Sequence, residues 1–258
     1  MKQIIFLVML AFLVTACNNK RTQTDGTPDS PKLSFSTVEF QQKSKSDKFP
    51  ESEIEAKVPV AEGNSAAAEK VNKRVFDAVK SVVGNEKDSS SNFNALFSNF
   101  ISGYEKFMAE NPDSPGDWEA EIKGSVEYNT PHIANIRLES YAMTGGAHGN
   151  SVITSLIFDP ATGRELSVKD LINNIDFFTA YAEKKFREKY DVPADKPINS
   201  TGLMFENDKF VISKNIFVSD KGLKLLYNNY EIAPYVDGTR DLDLPYDEIK
   251  NYLLVDIR

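Results

Sequence analysis

Three stretches of the chain alternate apolar and polar residues with the period of an α-helix. The first covers residues 65 to 83, where valines recur every three or four positions and Gly84 follows as a helix-ending residue. The second covers residues 92 to 110, where an aromatic stripe ends before Pro112, and the third covers about residues 176 to 190. Because such regular stripes usually pack in a core, we expect each helix to bury one face.

Elsewhere the alternation has a period of two residues, which is the period of a strand with one buried face. The predicted strands are Glu53–Val60, Trp118–Tyr128, Ile133–Tyr141, Ser151–Phe158, Lys209–Val218 and Gly222–Tyr227. Gly124 falls on the apolar face of its strand and predicts a close approach of another backbone. A turn at 159–163 leads into residues 164–168, and Pro245 opens a final helix over residues 246–254. Strands in runs and helices in blocks predict an α+β fold, with mostly antiparallel sheets and amphipathic helices packed on them.

The first residues of the chain have a different character. Lys2 precedes an apolar run from Ile4 to Val14, and Thr15-Ala16-Cys17 follows. This order is typical of a secretory signal, and the run is shorter than the roughly 20 apolar residues of a permanent membrane helix. The small residues end on a cysteine, which resembles the bacterial lipobox and implies cleavage after residue 16 and lipidation of Cys17. The alternative, a plain signal, would leave the single cysteine of the chain as a reactive thiol.

The segment after the predicted signal has no periodic apolar pattern. Residues 17–32 are polar and predict a flexible tether, with organised sequence beginning near Leu33. The run Asn18-Asn19-Lys20-Arg21 lacks the acidic cluster that resembles a surface-export signal in some bacteria. We therefore expect an exported chain, held by two or more acyl chains to the outer membrane and facing the periplasm.

Composition narrows the classes of partner. The chain has 38 acidic and 30 basic residues, and loss of Lys2 with residues 1–16 leaves 38 against 29, a net charge of −9. This balance argues against nucleic acid as a partner, because nucleic-acid binding depends on basic patches. With one cysteine, which the lipid would occupy, we expect a fold that depends on apolar burial and has no disulfide.

Motifs for catalysis are sparse. The sequence has two histidines, His132 and His148, without the i, i+4 spacing of a zinc site, and it has no Gly-x-Ser-x-Gly elbow or phosphate-binding loop. Carboxylates are too numerous for any pair to be chosen without geometry. We therefore expect no metal, no cofactor and no catalytic residue, with a carboxylate-dependent enzyme kept as the alternative.

Two segments carry the candidate binding residues. The first is a glycine-rich loop, residues 141–150, and the second is a tyrosine-rich segment, residues 225–235. Glycines permit backbone conformations closed to other residues, and tyrosines serve either as recognition groups or as hydrogen-bonded supports. The residues alone favour a supporting role for His148, which has no partner to make it a base or ligand, and leave the tyrosines open between the two roles. The candidates are Tyr141, Thr144, Gly145, Gly146, His148, Asn150, Tyr227, Tyr230, Glu231, Pro234 and Tyr235.

These same segments carry a family resemblance. The string Thr-Gly-Gly-Ala-His-Gly-Asn at 144–150 and the string Tyr-Glu-Ile-Ala-Pro-Tyr at 230–235 resemble the extracellular domain of RsiV-type anti-sigma factors. Residues 33 to 140 resemble the domain that precedes it, which is also found in PdaC-type peptidoglycan deacetylases. The resemblance implies two α+β domains, residues 33–142 and 143–258, packed as one unit.

The resemblance implies a binding function in the cell envelope. In the anti-sigma factors the similar domain pair senses lysozyme by binding it, and in the deacetylases catalysis belongs to a separate domain whose metal-binding motif this sequence lacks. The implied function is that of a non-catalytic lipoprotein with a lysozyme-type hydrolase or peptidoglycan as its partner. A charge of −9 would steer a cationic hydrolase toward the chain. The alternative is a carboxylate-dependent enzyme that acts on cell-wall polysaccharide.

Overall fold

A computed structural model describes residues 32–45, 48–85, 87–114, 116, 118–146 and 148–257. The predicted signal peptide and Cys17 lie outside these residues, as does all of the predicted tether except Lys32. Within the described ranges, no helix is both long enough and apolar enough to cross a membrane.

The first half of the chain forms a five-stranded sheet in the order β1-β2-β3-β4-β5. Its strands are β1 Phe35–Lys43, β2 Glu53–Ala61, β3 Glu119–Asn129, β4 Ala134–Met143 and β5 Asn150–Phe158. All neighbours pair antiparallel except β2 and β3, which are parallel. A parallel pair needs a long crossover, and the two helices between these strands supply it.

These two helices cover one face of the sheet. They are α1, Ala66–Val83, and α2, Phe93–Glu110, and they begin where Ser65 and Asn92 accept hydrogen bonds from the first helical turn. The valine stripe of α1 and the aromatic stripe of α2 are buried against the sheet, in one core with Ile54, Ile122 and Leu138. The predicted helices at 65–83 and 92–110 are confirmed, and so is the burial of their apolar faces.

Gly124 makes the close approach that its position in the strand predicts. A Cβ at this residue would lie 2.4 Å from the Pro59 ring and 3.1 Å from the carbonyl oxygen of Lys57. Both neighbours belong to β2, so the absence of a side chain lets β3 lie against that strand where the parallel pairing ends at Lys123.

The second half of the chain has its own core around a smaller antiparallel sheet, in the order β6-β7-β8. Its elements are α3 Val168–Leu171, α4 Ile175–Lys189, β6 Asn215–Ser219, β7 Gly222–Tyr227, β8 Arg240–Pro245 and α5 Tyr246–Ile249, with short 3₁₀ helices at Ile198–Thr201, Glu206–Asp208, Tyr235–Asp237 and Lys250–Tyr252. α4 buries Phe178, Ala182 and Phe186 in this core. The α+β class, with mostly antiparallel sheets and packed helices, is confirmed.

Two predicted elements are shorter than expected. The strand predicted over 209–218 begins only at Asn215, because the Ser213 hydroxyl bonds the Leu226 carbonyl and the Asn215 N–H, which holds the preceding chain away from strand geometry. The helix predicted over 246–254 is α-helical only to Ile249 and then 3₁₀ to Tyr252. The helix does not continue to residue 254, because the Leu254 N–H donates to the carbonyl of Leu171 at the end of α3 and not to a carbonyl of its own helix.

Two other segments differ from the sequence expectation. β1 was not expected as a strand, because at the edge of the sheet most of its side chains are exposed and its alternation is weak. Residues 164–168 form only a bridge between Glu165 and Phe158 and then the start of α3, where Ser167 and Asp170 form a reciprocal capping box.

Asparagine side chains join the two sheets. The Asn215 side chain accepts a hydrogen bond from the Ser155 N–H at 3.0 Å and donates one to the Ile153 carbonyl at 2.8 Å. These backbone groups on the outer edge of β5 therefore bond a side chain and not a sixth strand. The buried Asn135 donates to the Ser155 hydroxyl and accepts from the Val218 N–H at 2.9 Å. We call Asn135, Asn215 and Asn228 the asparagine seam. The predicted boundary at 142–143 falls within β4, one residue before its end at Met143, and β4 pairs with β5 in one sheet.

Candidate binding site

The glycine-rich loop and the tyrosine-rich segment, 75 or more residues apart in the chain, meet at the surface. The ring of His148 stacks on that of Tyr235 with a centroid distance of 5.2 Å and an interplanar angle of 22°. The ring of Tyr230 also packs against that of Tyr235, with a centroid distance of 5.2 Å. We call His148, Tyr230 and Tyr235 the aromatic platform.

The glycines shape the loop in two different ways. Gly145 and Gly146 have φ values of 95° and 101°, a region that other residues rarely adopt, which confirms the expectation of positive φ in this loop. Gly149 instead makes room for a ring, because a Cβ there would lie 2.3 Å from the Tyr141 side chain. Thr144 is exposed beside the glycines, and Asn150 is exposed at the first position of β5.

His148 lies at the surface and not in a buried hydrogen-bonding position. Its Nδ1 is 3.0 Å from the Gly149 carbonyl oxygen, which can only accept a hydrogen bond. Nδ1 is therefore the donor in this contact, and the His148 side chain as a whole is exposed. The ring is therefore held by its stack on Tyr235 and by one local hydrogen bond, and its other edge is open to a ligand.

Tyr141 connects the platform to the five-stranded sheet. It lies near the end of β4, half-buried, and its hydroxyl donates a hydrogen bond to the carboxylate of Glu119 on β3. Burial and the Glu119 carboxylate together raise the pKa of the Tyr141 hydroxyl, and the neighbouring Tyr235 adds to this effect. Tyr141 is therefore a neutral hydrogen-bond donor over the physiological range.

The tyrosine-rich segment is anchored by polar contacts at its start. Asn228 accepts from the Ile153 N–H at 2.8 Å and donates to the Ile153 carbonyl at 2.9 Å, which fixes the segment to β5. The Glu231 carboxylate accepts from the Asn228 N–H at 2.8 Å and closes a turn in which Tyr230 has a φ of 65°. Pro234 then starts the 3₁₀ helix that presents Tyr235.

The predicted site residues separate into two groups. Tyr227 is fully buried, its hydroxyl donates to the Val211 carbonyl at 2.7 Å, and burial raises its pKa, so it belongs to the core. Glu231 and Pro234 set the backbone of the segment. Tyr141, His148, Tyr230 and Tyr235 come together at the surface.

Three apolar residues that the sequence did not single out border the same segment. Val236 is 90% exposed directly after Tyr235, and Tyr230 is 56% exposed. Met204 and Val211 are also exposed. The Met204 backbone N–H donates to the Ile232 carbonyl, and the Val211 backbone carbonyl accepts a hydrogen bond from the Tyr227 hydroxyl. Exposed apolar side chains beside tyrosines are typical of protein interaction surfaces.

Asn228 and Glu119 were not predicted from the sequence, although Asn228 anchors the tyrosine-rich segment and Glu119 bonds Tyr141. Each contacts a group far along the chain: Asn228 bonds β5 and Glu119 bonds Tyr141 on the neighbouring strand. An asparagine in a loop and a glutamate on a strand are ordinary residues at the level of sequence, so no local signal marks them.

One pair of carboxylates, Glu53 and Glu55, is close enough to be compared with a catalytic pair. A single Gln41 amide nitrogen donates to Glu53 at 2.6 Å and to Glu55 at 2.7 Å, so the two carboxylates lie close together on the sheet surface. The Gln41 hydrogen bond and Lys43 lower the pKa of Glu53, whereas a general acid needs a raised pKa. Across the described part of the chain, no group of three or more His, Cys, Asp or Glu residues could hold a metal ion.

Comparisons with known proteins divide the chain into two matched segments. Residues 26–151 match the family model described as Deacetylase PdaC, and residues 166–247 match the model described as Protein of unknown function (DUF3298). The glycine-rich loop lies in the first match and the tyrosine-rich segment in the second. The aromatic platform is therefore built from both segments. A search of curated proteins found no matching relative.

Solved structures share the fold over most of the chain. A DUF3298-family protein from Bacteroides fragilis superposes with a TM-score of 0.70 at 16% identity, covering 86% of this chain and 94% of that one. A DUF3298-family protein from Pseudomonas aeruginosa superposes with a TM-score of 0.60 at 15% identity, covering 89% of this chain and 98% of that one. This chain thus carries a PdaC-like segment followed by a DUF3298 segment, in the fold of solved DUF3298-family proteins.

Proposed function

We propose that this chain is a non-catalytic cell-envelope lipoprotein that binds a partner through the aromatic platform. The single observation that carries the proposal is the platform itself, in which two segments from different family matches bring three aromatic rings together at the surface. Partly exposed aromatic side chains with free polar tips are the groups that most often dominate binding energy. The candidate partners are a lysozyme-type hydrolase and peptidoglycan.

Three features favour binding over catalysis. The platform has one histidine, which makes no hydrogen bond to a carboxylate that would orient it as a base. The close Glu53–Glu55 pair lies on an open sheet surface, and its hydrogen bonds favour the charged form of Glu53. A cell-wall glycosidase needs one carboxylic acid kept protonated in a cleft, which this pair does not offer.

The anchor is the second part of the proposal. Lipid on Cys17 would hold the module to the outer membrane on the periplasmic side, with residues 18–31 as the tether before the described fold. Substitution Cys17→Ser should abolish lipidation and release the protein from the detergent-rich phase, since the two or more acyl chains of the anchor are lost. Partition of wild type and variant in a detergent-phase separation measures this, and equal partition of the two would disprove the anchor.

The platform is tested by single substitutions that remove its rings. We expect His148→Ala and Tyr230→Ala each to weaken binding of the mature chain, made soluble by Cys17→Ser, by about tenfold or more, as for other interface aromatic residues. Both side chains are exposed, so the melting temperature should stay close to that of the parent. Binding is measured against a cationic lysozyme and, separately, against purified peptidoglycan.

Matched controls come from exposed residues outside the platform. Phe177 on α4 is an exposed aromatic residue, and His132 is the other histidine and is also exposed. Phe177→Ala and His132→Ala should leave both ligands bound as before. Unchanged binding in both platform variants, or a fall in melting temperature that accounts for the lost binding, would contradict a recognition role.

A further inference from the structure

The five-stranded sheet has one face that no helix covers. α1 and α2 pack on the opposite face, and the second half of the chain covers one end of this face, where Tyr128, Ile133 and Ile157 pack into the second core and Arg137 lies over the Phe217 ring. At the other end, beside the glycine-rich loop, the outward side chains of β1 to β4 are exposed. We call this region the open face; its outward residues are Gln41, Lys43, Glu53, Glu55, Lys57, Glu119, Glu121, Lys123, Glu139 and Tyr141.

The strand register places like charges next to each other on the open face. β2 and β3 pair so that Glu53 lies opposite Glu119 and Glu55 lies opposite Glu121. Like charges directly opposite on neighbouring strands destabilise a sheet. Two such pairs, one after the other, oppose folding, and nothing in the sheet core requires them because all four side chains point away from it.

Local cations neutralise only part of this charge. Lys43 pairs with Glu53 at 3.2 Å, Lys123 with Glu121 at 2.6 Å, and Lys57 with Glu39 at 2.9 Å. Glu55 and Glu119 form no direct ion pair with a lysine or arginine of the described chain, although the Glu55 carboxylate is near enough to Lys57 to contribute to the raised pKa of that lysine. Their hydrogen bonds come from neutral groups instead: the Gln41 amide donates to Glu55 and the Tyr141 hydroxyl donates to Glu119.

The open face continues into the aromatic platform. Tyr141 lies between the two, because it shares a row of side chains with Glu121 and its ring packs beside Gly149, the residue that follows His148. Two depressions of about 380 and 210 Å³ run side by side across the face and share Glu121 and Lys123. A partner that covers the platform and continues across these depressions would reach Glu55, which lines the larger one, and Glu119, which bonds Tyr141.

We propose that the open face is a docking surface for a protein that presents lysine or arginine side chains, which would pair with Glu55 and Glu119. The inference rests on the proposed function and names the chemistry of the partner. Cations placed here would relieve the repulsion between β2 and β3 and complement the net charge of −9 on residues 17–258. Functional sites often lower the stability of the free protein, and here the repulsion between carboxylates would be relieved when the partner binds.

The test removes the two unpaired charges and keeps their shape. The variant Glu55→Gln with Glu119→Gln should bind a cationic lysozyme about five- to tenfold more weakly than the parent, and with a shallower dependence on salt. Its melting temperature should be equal or higher, because repulsion is lost. The matched control, Glu110→Gln with Glu206→Gln, changes net charge equally at exposed positions away from this face and should bind as the parent does.

The outcomes separate the inference from the proposed function. Equal weakening in the control pair would overturn the inference, because it would mean that only total charge matters. Unchanged binding in the Glu55–Glu119 variant, with binding lost in His148→Ala and Tyr230→Ala, would overturn the inference and keep the platform. Binding to peptidoglycan without binding to lysozyme would also overturn it, and unchanged binding in the platform variants would reject the proposed function itself. Acetylation of the lysines of lysozyme should weaken its binding to the parent but should not weaken its binding to the Glu55–Glu119 variant further. That result would support the ion pairs from the side of the partner.

Discussion

Phe100→Ala is expected to lower the free energy of unfolding by about 3 to 5 kcal/mol, the range for large side chains truncated in a packed core. Phe100 is 4% exposed on α2, and its ring lies 5.7 Å from that of Trp118. Removing it leaves a cavity between α2 and the sheet that backbone elements on both sides prevent from closing. Urea unfolding followed by Trp118 fluorescence measures the change, since Trp118 is the single tryptophan of the chain.

The control for this prediction is Phe177→Ala. Phe177 is 69% exposed on α4, so the same chemical change there should cost about 0.5 kcal/mol or less. A near-neutral result at Phe100 would contradict the packing described for α2 and would mean that the aromatic stripe contacts solvent or a ligand instead.

The sequence predicted the helices well because their signals are local. The apolar stripe of α2 and the Asn92 cap lie within one stretch of chain, and both determine the same helix. Gly124 and the loop glycines were also predictable, since the absence of a Cβ has a direct steric meaning. The edge strand β1 was missed because a strand with one neighbour buries too few side chains to produce a strong alternation.

The candidate site was predictable only in part. Its two segments were recognised from glycine and tyrosine content, but their meeting at His148 and Tyr235 depends on how β5 and β7 are placed, which no local pattern encodes. The same limit explains why Tyr227 and Tyr230 could not be separated, although one is buried and the other exposed. The Glu53–Glu119 and Glu55–Glu121 pairs follow from the parallel register of β2 and β3, which depends on the helical crossover.

The asparagine seam is the feature on which the relation between the two cores depends. Asn135 is completely buried, and its carboxamide bonds the Ser155 hydroxyl, the Leu156 carbonyl at 3.1 Å and the Val218 N–H. One side chain therefore joins β5 of the first sheet to β6 of the second. A buried amide is favourable only when its partners are all present, so loss of one member affects the others.

Asn135→Ala is accordingly expected to lower the free energy of unfolding by about 2 to 4 kcal/mol, because the Val218 N–H and other buried groups lose their partner. Asn64→Ala, in an exposed loop, is the matched control and should be close to neutral. A double-mutant cycle with Asn215→Ala should be non-additive by 0.5 kcal/mol or more, since both residues act on β5 at Ser155.

The same variant tests whether the seam makes the two cores unfold together. Trp118 fluorescence reports the first core, whereas far-ultraviolet circular dichroism reports the helices and strands of both. In the parent the two transitions should coincide, as expected for one cooperative unit. In Asn135→Ala they should separate, because the buried link to Val218 is lost and the cores then share only the contacts of Asn215 and Asn228 at the edge of β5 and apolar contacts such as those of Tyr128, Ile133 and Ile157. Coincident transitions with a loss below about 1 kcal/mol would show that Asn135 does not hold the PdaC-like and DUF3298 segments together.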